Sequence, residues 1–460
     1  MTMNVDADNP AFSNPGDGQQ GGPFGFMSGI SRSSAMLGDM WGLRPALGKY
    51  GVTLSLEETS EYLGNVSGGT RKGFDYDGLT QMAVQLDTQR AFGWYGGTFN
   101  ASALNIHGRN LSADNLGTLQ TASGIEADGT TRLWELWYQQ KFLDQDRLDV
   151  KIGQQSLDQE FIVSQNAGLF VNTMFGWPMT PSADLPGGGP AYPLSALGVR
   201  VRAKPTDSLT FLAGVFNGSP ASDLNNPDAQ HANPSGTNFP LGNGILAIAE
   251  VQYAYPALGS MVSAGESEPL ARLYKLGVWY DSENFADLQY DTTGLSLANP
   301  ASNGIPESHH GDYSIYAVAD QMIWHSQDID DRTLNVFARV MGTPQTDRNL
   351  IDFSMNAGLT LHEPIFGRDD DTFGIGMGYA HVSGSASALD RAQTFFGTNT
   401  ASQTGETFVE ATYQIQVTPW WQIQPDAQYV FNPGAGTLDP DTGKKVGDEM
   451  VIGVRTNILF

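Results

Sequence analysis

From about Tyr50 to the C-terminus, apolar and polar residues alternate with a period of two in segments of about ten residues. In EATYQIQV (410–417), Glu410, Thr412, Gln414 and Gln416 share one face, and Ala411, Tyr413, Ile415 and Val417 the other. In RLDVKIG (147–153), Asp149 and Lys151 oppose Leu148, Val150 and Ile152. In LGVRVRA (197–203), Arg200 and Arg202 oppose Leu197, Val199 and Val201. Such alternation predicts strands near 51–63, 75–91, 97–109, 131–143, 148–157, 196–204, 209–217, 244–255, 272–281, 311–326, 332–342, 350–362, 372–383, 404–417, 420–431 and 449–460. Hardly any segment follows a period of 3.6. Short connections such as 144–147, 204–208 and 419–420 alternate with long ones at 110–130, 158–195, 218–243, 282–310, 384–403 and 432–448. Two connections break that rhythm, 256–271 by being long and 343–349 by being short.

An even number of antiparallel strands with short and long turns in alternation is the pattern of a transmembrane β-barrel. The expected fold is all-β: about 16 strands, short periplasmic turns, long extracellular loops and one loop folded inward. A soluble sandwich also alternates, with its apolar side inside. Three features favour the barrel. Aromatics stand at segment ends (Trp94, Tyr95, Trp420, Trp421, Phe431, Phe460), where a lipid interface places them. The segments are longer than ordinary soluble strands and match a tilted membrane crossing. No helices are predicted to cover so large a sheet, and only closure removes its edges. The last strand would then close against the first, with Met450, Ile452, Val454 and Ile458 toward lipid and Arg455 and Asn457 toward the lumen.

Composition narrows the function. Charged residues are only 16% of the 460, yet 50 Asp and Glu against 24 Lys and Arg leave a net charge of −26. That balance offers no basic footprint for nucleic acid. With no cysteine, disulfides, thiolate metal sites and cysteine nucleophiles drop out. No apolar run is long enough for a membrane-crossing helix, and the first residues show no apolar signal core. Residues 1–40, rich in Gly, Pro, Asn and Ser, read as a flexible lead-in to a barrel spanning 41–460. The seven histidines give no metal pattern: HH at 309–310 reads as a loop pair, and no cofactor is implied.

Several ordered stretches carry a more specific likeness: MLGDMWGLRPALGKYGVTLSLEET (36–59), LWELWYQQKF (133–142), KIGQQSLDQEFIVSQNAGLFVNTMFGWP (151–178), LPGGGPAYPLSALGVRV (185–201) and YQIQVTPWWQIQPDAQYVFNPG (413–434). Together they resemble the carbohydrate-selective porin family OprB. The resemblance implies an outer-membrane porin, monomeric or trimeric, that passes glucose and similar sugars by facilitated diffusion, and is not an enzyme. The alternative is a secreted β-rich carbohydrate-binding protein or hydrolase without a pore; no G-x-S-x-G and no convincing acid pair supports the hydrolase.

The longest connection, 158–195, holds Phe170, Phe175, Trp177 and Tyr192, more aromatics than a solvated loop needs, and is expected to narrow the channel. A sugar constriction needs an aromatic face for the pyranose C–H surface and charged groups for its hydroxyls. The candidate substrate-binding residues are Trp177 as platform, Arg109, Glu135, Arg200 and Arg202, with Asp158 and Glu160 opening the loop and pairing with the arginines. For Arg200, Arg202 and Glu135 a lumen charge ladder that holds the loop is an equal alternative. Trp134 and Tyr138, opposite in phase to Glu135, are expected to face lipid.

Overall fold

The computed structural model describes residues 34–221, 228–256, 270–326 and 332–460. Most of the 1–40 lead-in, the irregular connection at 257–269 and the acidic turn at 327–331 lie outside the described residues.

Sixteen strands form where the alternation places them. They are β1 Val52–Ser67, β2 Gly73–Asp87, β3 Gly97–Gly108, β4 Thr130–Phe142, β5 Leu148–Gln155, β6 Ala196–Ala203, β7 Leu209–Asn217 and β8 Ile245–Tyr255. Then follow β9 Arg272–Asp291, β10 Pro306–His325, β11 Thr333–Gly342, β12 Ile351–His362, β13 Thr372–Val382, β14 Gly405–Thr418, β15 Trp421–Phe431 and β16 Glu449–Leu459. Each pairs antiparallel with its neighbours in sequence, and β1 pairs with β16, so the sheet is a closed barrel. Short helices punctuate it: α1 Leu43–Gly48, α2 Thr88–Phe92, α3 Met179–Asp184, α4 Ala229–Ala232 and α5 Gly384–Phe395.

Closure brings the two ends of the described chain together. The Phe460 N–H donates to Leu56 O at 2.9 Å, the Met36 N–H to Leu459 O at 2.8 Å, and Arg44, on α1, bonds the Phe460 carbonyl. The facing is as the alternation requires. Val199, Val201 and Ile152 are exposed on the outside, and Arg200, Asp149, Gln424, Gln428, Arg455 and Asn457 are buried within. Aromatic rings mark both edges of the outer band: Phe99 and Tyr138, centroids 4.5 Å apart, on the short-turn side, and Tyr62 stacked on Phe74 at 5.4 Å on the other.

Three expectations change. β9 and β10 are 20 residues each, so the 282–310 connection shrinks to 292–305. Residues 384–403, expected as loop, contain α5, capped by Ser383 Oγ accepting from the Ala386 N–H. Its sequence GSASALDRAQTF is too poor in large apolar side chains to show a period. Trp134 does not face lipid. A bulge, where Ala101 pairs with Leu136 and Ala103 with Leu133, inserts a residue in β4. Trp134 and Glu135 are therefore both buried, while Leu136 beyond them is exposed.

Candidate functional site

Inside the barrel, β4, β5 and β6 carry a continuous run of charge. Asp149 pairs with Arg202, its Oδ2 at 2.6 Å from Nε, and also with Arg200. One position up the wall, Arg200 lies opposite Lys151 in register, and both reach Glu160, the first turn of the long loop; Arg200 Nε is 2.6 Å from Glu160 Oε2. Lys151 Nζ also sits 4.5 Å from the centre of the Trp137 ring, whose Nε1 donates to Glu135 Oε2 at 3.2 Å. Glu135 Oε1 accepts the Ser156 N–H at 3.1 Å and so pins the end of β5. Burial pushes the Glu160 carboxyl up, but Lys151 and Arg200 beside it overcome that and hold it at about 2.

Two groups keep surface toward the lumen: Arg202, with 32% of its side chain exposed, and Glu160, with 19%. Arg200 and Asp149 are almost fully closed off. Asp158 does not pair with the arginines. It accepts from Ser156 Oγ at 2.6 Å and from the Tyr192 N–H at 3.0 Å, tying the two ends of the loop together.

The loop 158–195 then crosses the lumen and is fastened to several strands around it. The Ile162 N–H donates to Glu250 on β8; Ser164 Oγ and the Asn166 amide donate to Asp320 on β10. The Val171 and Asn172 N–H groups donate to Glu410 on β14 at 2.6 and 3.0 Å. Arg339 of β11 donates to the carbonyls of Ile162, Gly176 and Met174, and Thr180 meets Ser354 of β12. A second segment, 109–129, was not expected inward and joins it. Its Leu119 and Gln120 N–H groups reach Glu406 of β14, and Gly124 N–H donates to Val171 O at 2.9 Å.

Trp177 lies within this plug rather than at its edge. Only 6% of it is exposed, it packs with Leu157, Phe161, Ile162 and Leu185, and its Nε1 donates to Gly188 O at 2.9 Å. Such a ring has almost no face left for a solute. Arg109 is not brought to the charged wall. β3 ends at Gly108, whose φ of 109° turns the chain away, and Arg109 lines a separate recess of about 590 Å³ with Arg71, Asp75, Asp114 and Asn115. His309 is not a casual loop residue either: its Nε2 is 2.8 Å from Asp287 Oδ2 and 3.8 Å from Asp347.

Sequence reasoning missed Trp137. It shares the parity of Glu135 in LWELW, so the phase already placed it inward.

A family model for carbohydrate-selective porins of the OprB family matches residues 71–460. The chain belongs to the OprB family. Porin B of Pseudomonas aeruginosa is 24% identical over 448 residues, covering 93% of this chain and 92% of that protein. The high pH structure of Pseudomonas putida OprB superposes with a TM-score of 0.79 at 24% identity, over 93% of this chain and 98% of that one. The low pH structure gives 0.54 at 18% identity, over 93% and 99%. As a member of the OprB family, the chain is a carbohydrate porin of the bacterial outer membrane, a transport channel in family and in fold. Two inward segments, 109–129 and 158–195, are thus bonded to strands across the lumen, so the barrel is partly filled rather than an open bore.

Proposed function

We propose that the sugar passes along the β4–β6 wall at the foot of the long loop, with Trp137 as its aromatic platform and Glu160 and Arg202 as the groups that exchange hydrogen bonds with its hydroxyls, while the buried Lys151 holds the ring and Glu160 in place. The observation that carries this reading is the juxtaposition of an inward ring with Lys151 at 4.5 Å, beside a carboxylate and a guanidinium that keep exposed surface. The apolar pyranose face needs the ring, and the hydroxyls need charged partners that stay in water enough to let go. Arg200, Glu135 and Asp158 act from behind, by fixing Glu160, Trp137 and the loop ends. Trp177 acts as a wedge that keeps the loop folded, and Arg109 as a contact at the separate recess it shares with Asp75. Small neutral sugars such as glucose fit this set, since every carboxylate in it is already matched by a cation or an N–H donor and none is left as a general acid or base.

Planar-bilayer current block by glucose tests the assignment. Trp137→Ala is expected to raise the half-blocking concentration roughly three- to tenfold, the worth of one ring contact, and to change conductance far less. Trp177→Ala is expected to alter conductance and block together, because it loosens the loop. Equal loss of both in Trp137→Ala removes the platform role. Proteoliposomes that do not take up glucose or a related sugar reject the transport reading.

A further inference from the structure

Two strands outgrow their neighbours on the long-loop side of the barrel. β8 begins at Ile245 and β11 ends at Gly342, while β9 runs on to Asp291 and β10 starts as early as Pro306. Leu246 pairs with Asp281 and Gly342 with Ile315, so the support of the flanking strands ends at that level. There Asp281 of β9 stands directly opposite Asp312 of β10. Both side chains are 0% exposed. Opposed residues on one face of an antiparallel pair have Cβ atoms roughly 5 Å apart, close enough for like charges to repel.

The hydrogen bonds around this pair leave oxygens over. Asp281 Oδ1 accepts the Glu283 N–H at 2.8 Å, and Asp312 Oδ1 accepts from Asn349 Nδ2 at 2.7 Å. The Oδ2 of each carboxylate is buried and has no partner. Asn349, in the connection after β11, is likewise 0% exposed. Its Nδ2 also faces Gln345 O at 3.0 Å and Thr343 Oγ1 at 3.3 Å, three acceptors that fix which end of the amide is nitrogen. The Asn349 Oδ1 beside it is a third buried oxygen without a donor. A Cβ on Gly218 would lie 3.1 Å from both Asp281 oxygens and 2.4 Å from Asn243 O, so a backbone carbonyl borders the same carboxylate. Among the described residues, no lysine, arginine or histidine forms an ion pair with Asp281 or Asp312. Arg348 is held instead by Asp347 Oδ1 at 2.8 Å and Gly311 O at 2.6 Å.

A buried carboxylate needs a counter-charge, and two side by side need it more. Every free group here is an oxygen, two of them anionic and one a neutral amide. That is the donor set of a hard cation. Ca²⁺ takes about six to eight oxygens in irregular cages, whereas Mg²⁺ holds to an octahedron and keeps several waters, which groups closed off from solvent do not favour. We infer that Asp281, Asp312 and Asn349 form a Ca²⁺ site. The ion ties β9, β10 and the 343–349 connection together at the foot of the protruding hairpin, where β8 and β11 no longer brace it.

Calorimetric titration of the purified full chain in detergent, first stripped with a chelator, tests this. The native chain is expected to take up Ca²⁺ with a Kd on the order of 10⁻⁴ M or tighter, and Mg²⁺ about tenfold more weakly. Asp281→Asn and Asp312→Asn should each weaken Ca²⁺ uptake about tenfold or more, because each removes one of the two charges. Asp370→Asn, in the exposed turn between β12 and β13, should leave uptake as in the native chain. Heat-modifiable gel mobility reports whether each barrel is folded. Should either strand variant fail that check, Asn349→Ala, which removes only the neutral ligand, is expected to weaken uptake about threefold or more. No uptake by the native chain overturns the proposal, since the two carboxylates then share a proton. Equal affinity for Mg²⁺, or equal Ca²⁺ affinity in the folded site variants and Asp370→Asn, also overturns it, since the ion then sits on exposed acidic turns.

Discussion

Glu160 shows how a single side chain can be held by context. Its carboxyl stays at about 2, below the ordinary value near 4.3, because Lys151 and Arg200 outweigh the effect of burial. A carboxylate with a lowered folded value contributes stability above the ordinary range and loses it only as pH falls through about 2. Sugar block is therefore expected to hold steady from pH 7 down to about 4 as far as Glu160 is concerned. Glu160→Gln should shift the block across that whole window. A transition near pH 4.5 in the native channel that vanishes in Glu160→Gln would show that the ladder does not hold the charge. Gly153 matters at the same spot: its φ is 132°, and a Cβ there would lie 2.7 Å from the Trp137 Cα, so only glycine lets β5 pass the bulged β4. The parity that placed Arg200, Lys151 and Asp149 inward was legible from the alternation alone. Trp134 was not, since a bulge adds one residue and reverses every side chain beyond it.

At the scale of the element, β13 is built as a socket. Its inward row in FGIGMGYA reads Gly374, Gly376, Gly378, Ala380. A Cβ on Gly376 would lie 2.6 Å from the Phe175 ring and 2.9 Å from that of Phe170, and one on Gly374 would strike Leu169 and Phe170. The loop's two phenylalanines, stacked at 4.3 Å, thus occupy the volume that side chains on β13 would have filled. Gly376→Leu is expected to expel them, raising single-channel conductance and weakening sugar block, at a cost of about 1–3 kcal/mol from overpacking. Unchanged conductance with a folded barrel would mean that the loop finds another seat. The glycines were plain in the sequence, but nothing local told that a segment about 200 residues earlier packs on them. For the same reason α5 stayed hidden: its strand-to-strand connection had no apolar stripe to announce a helix.

Across the whole molecule, the barrel and its plug are one structure. Arg339 is buried, and its guanidinium serves three loop carbonyls together with Asn356 Oδ1. Glu250, Asp320 and Glu410 do the converse for loop N–H groups from other strands around the lumen. Arg339→Met keeps the length of the side chain but removes these donors, leaving three carbonyls without that partner. The expected result is a folded barrel with a released loop: larger, noisier currents and a new protease cut between 158 and 195. A quiet native-sized channel in Arg339→Met would place the fastening elsewhere.

The sequence by itself settled the strand number, most boundaries, the outward faces and the closure of β16 on β1. These follow from a local rule, because most residues facing lipid must be apolar wherever their strand lies in the barrel, so a period of two shows through. The tertiary structure alone decided which inward residues stay wet. Trp177 and Trp137 are both tryptophans near charged groups, and only the path of the loop across the lumen buries the first and leaves the second beside Lys151. A lumen position is defined by the segments that meet there, and those arrive from far along the chain.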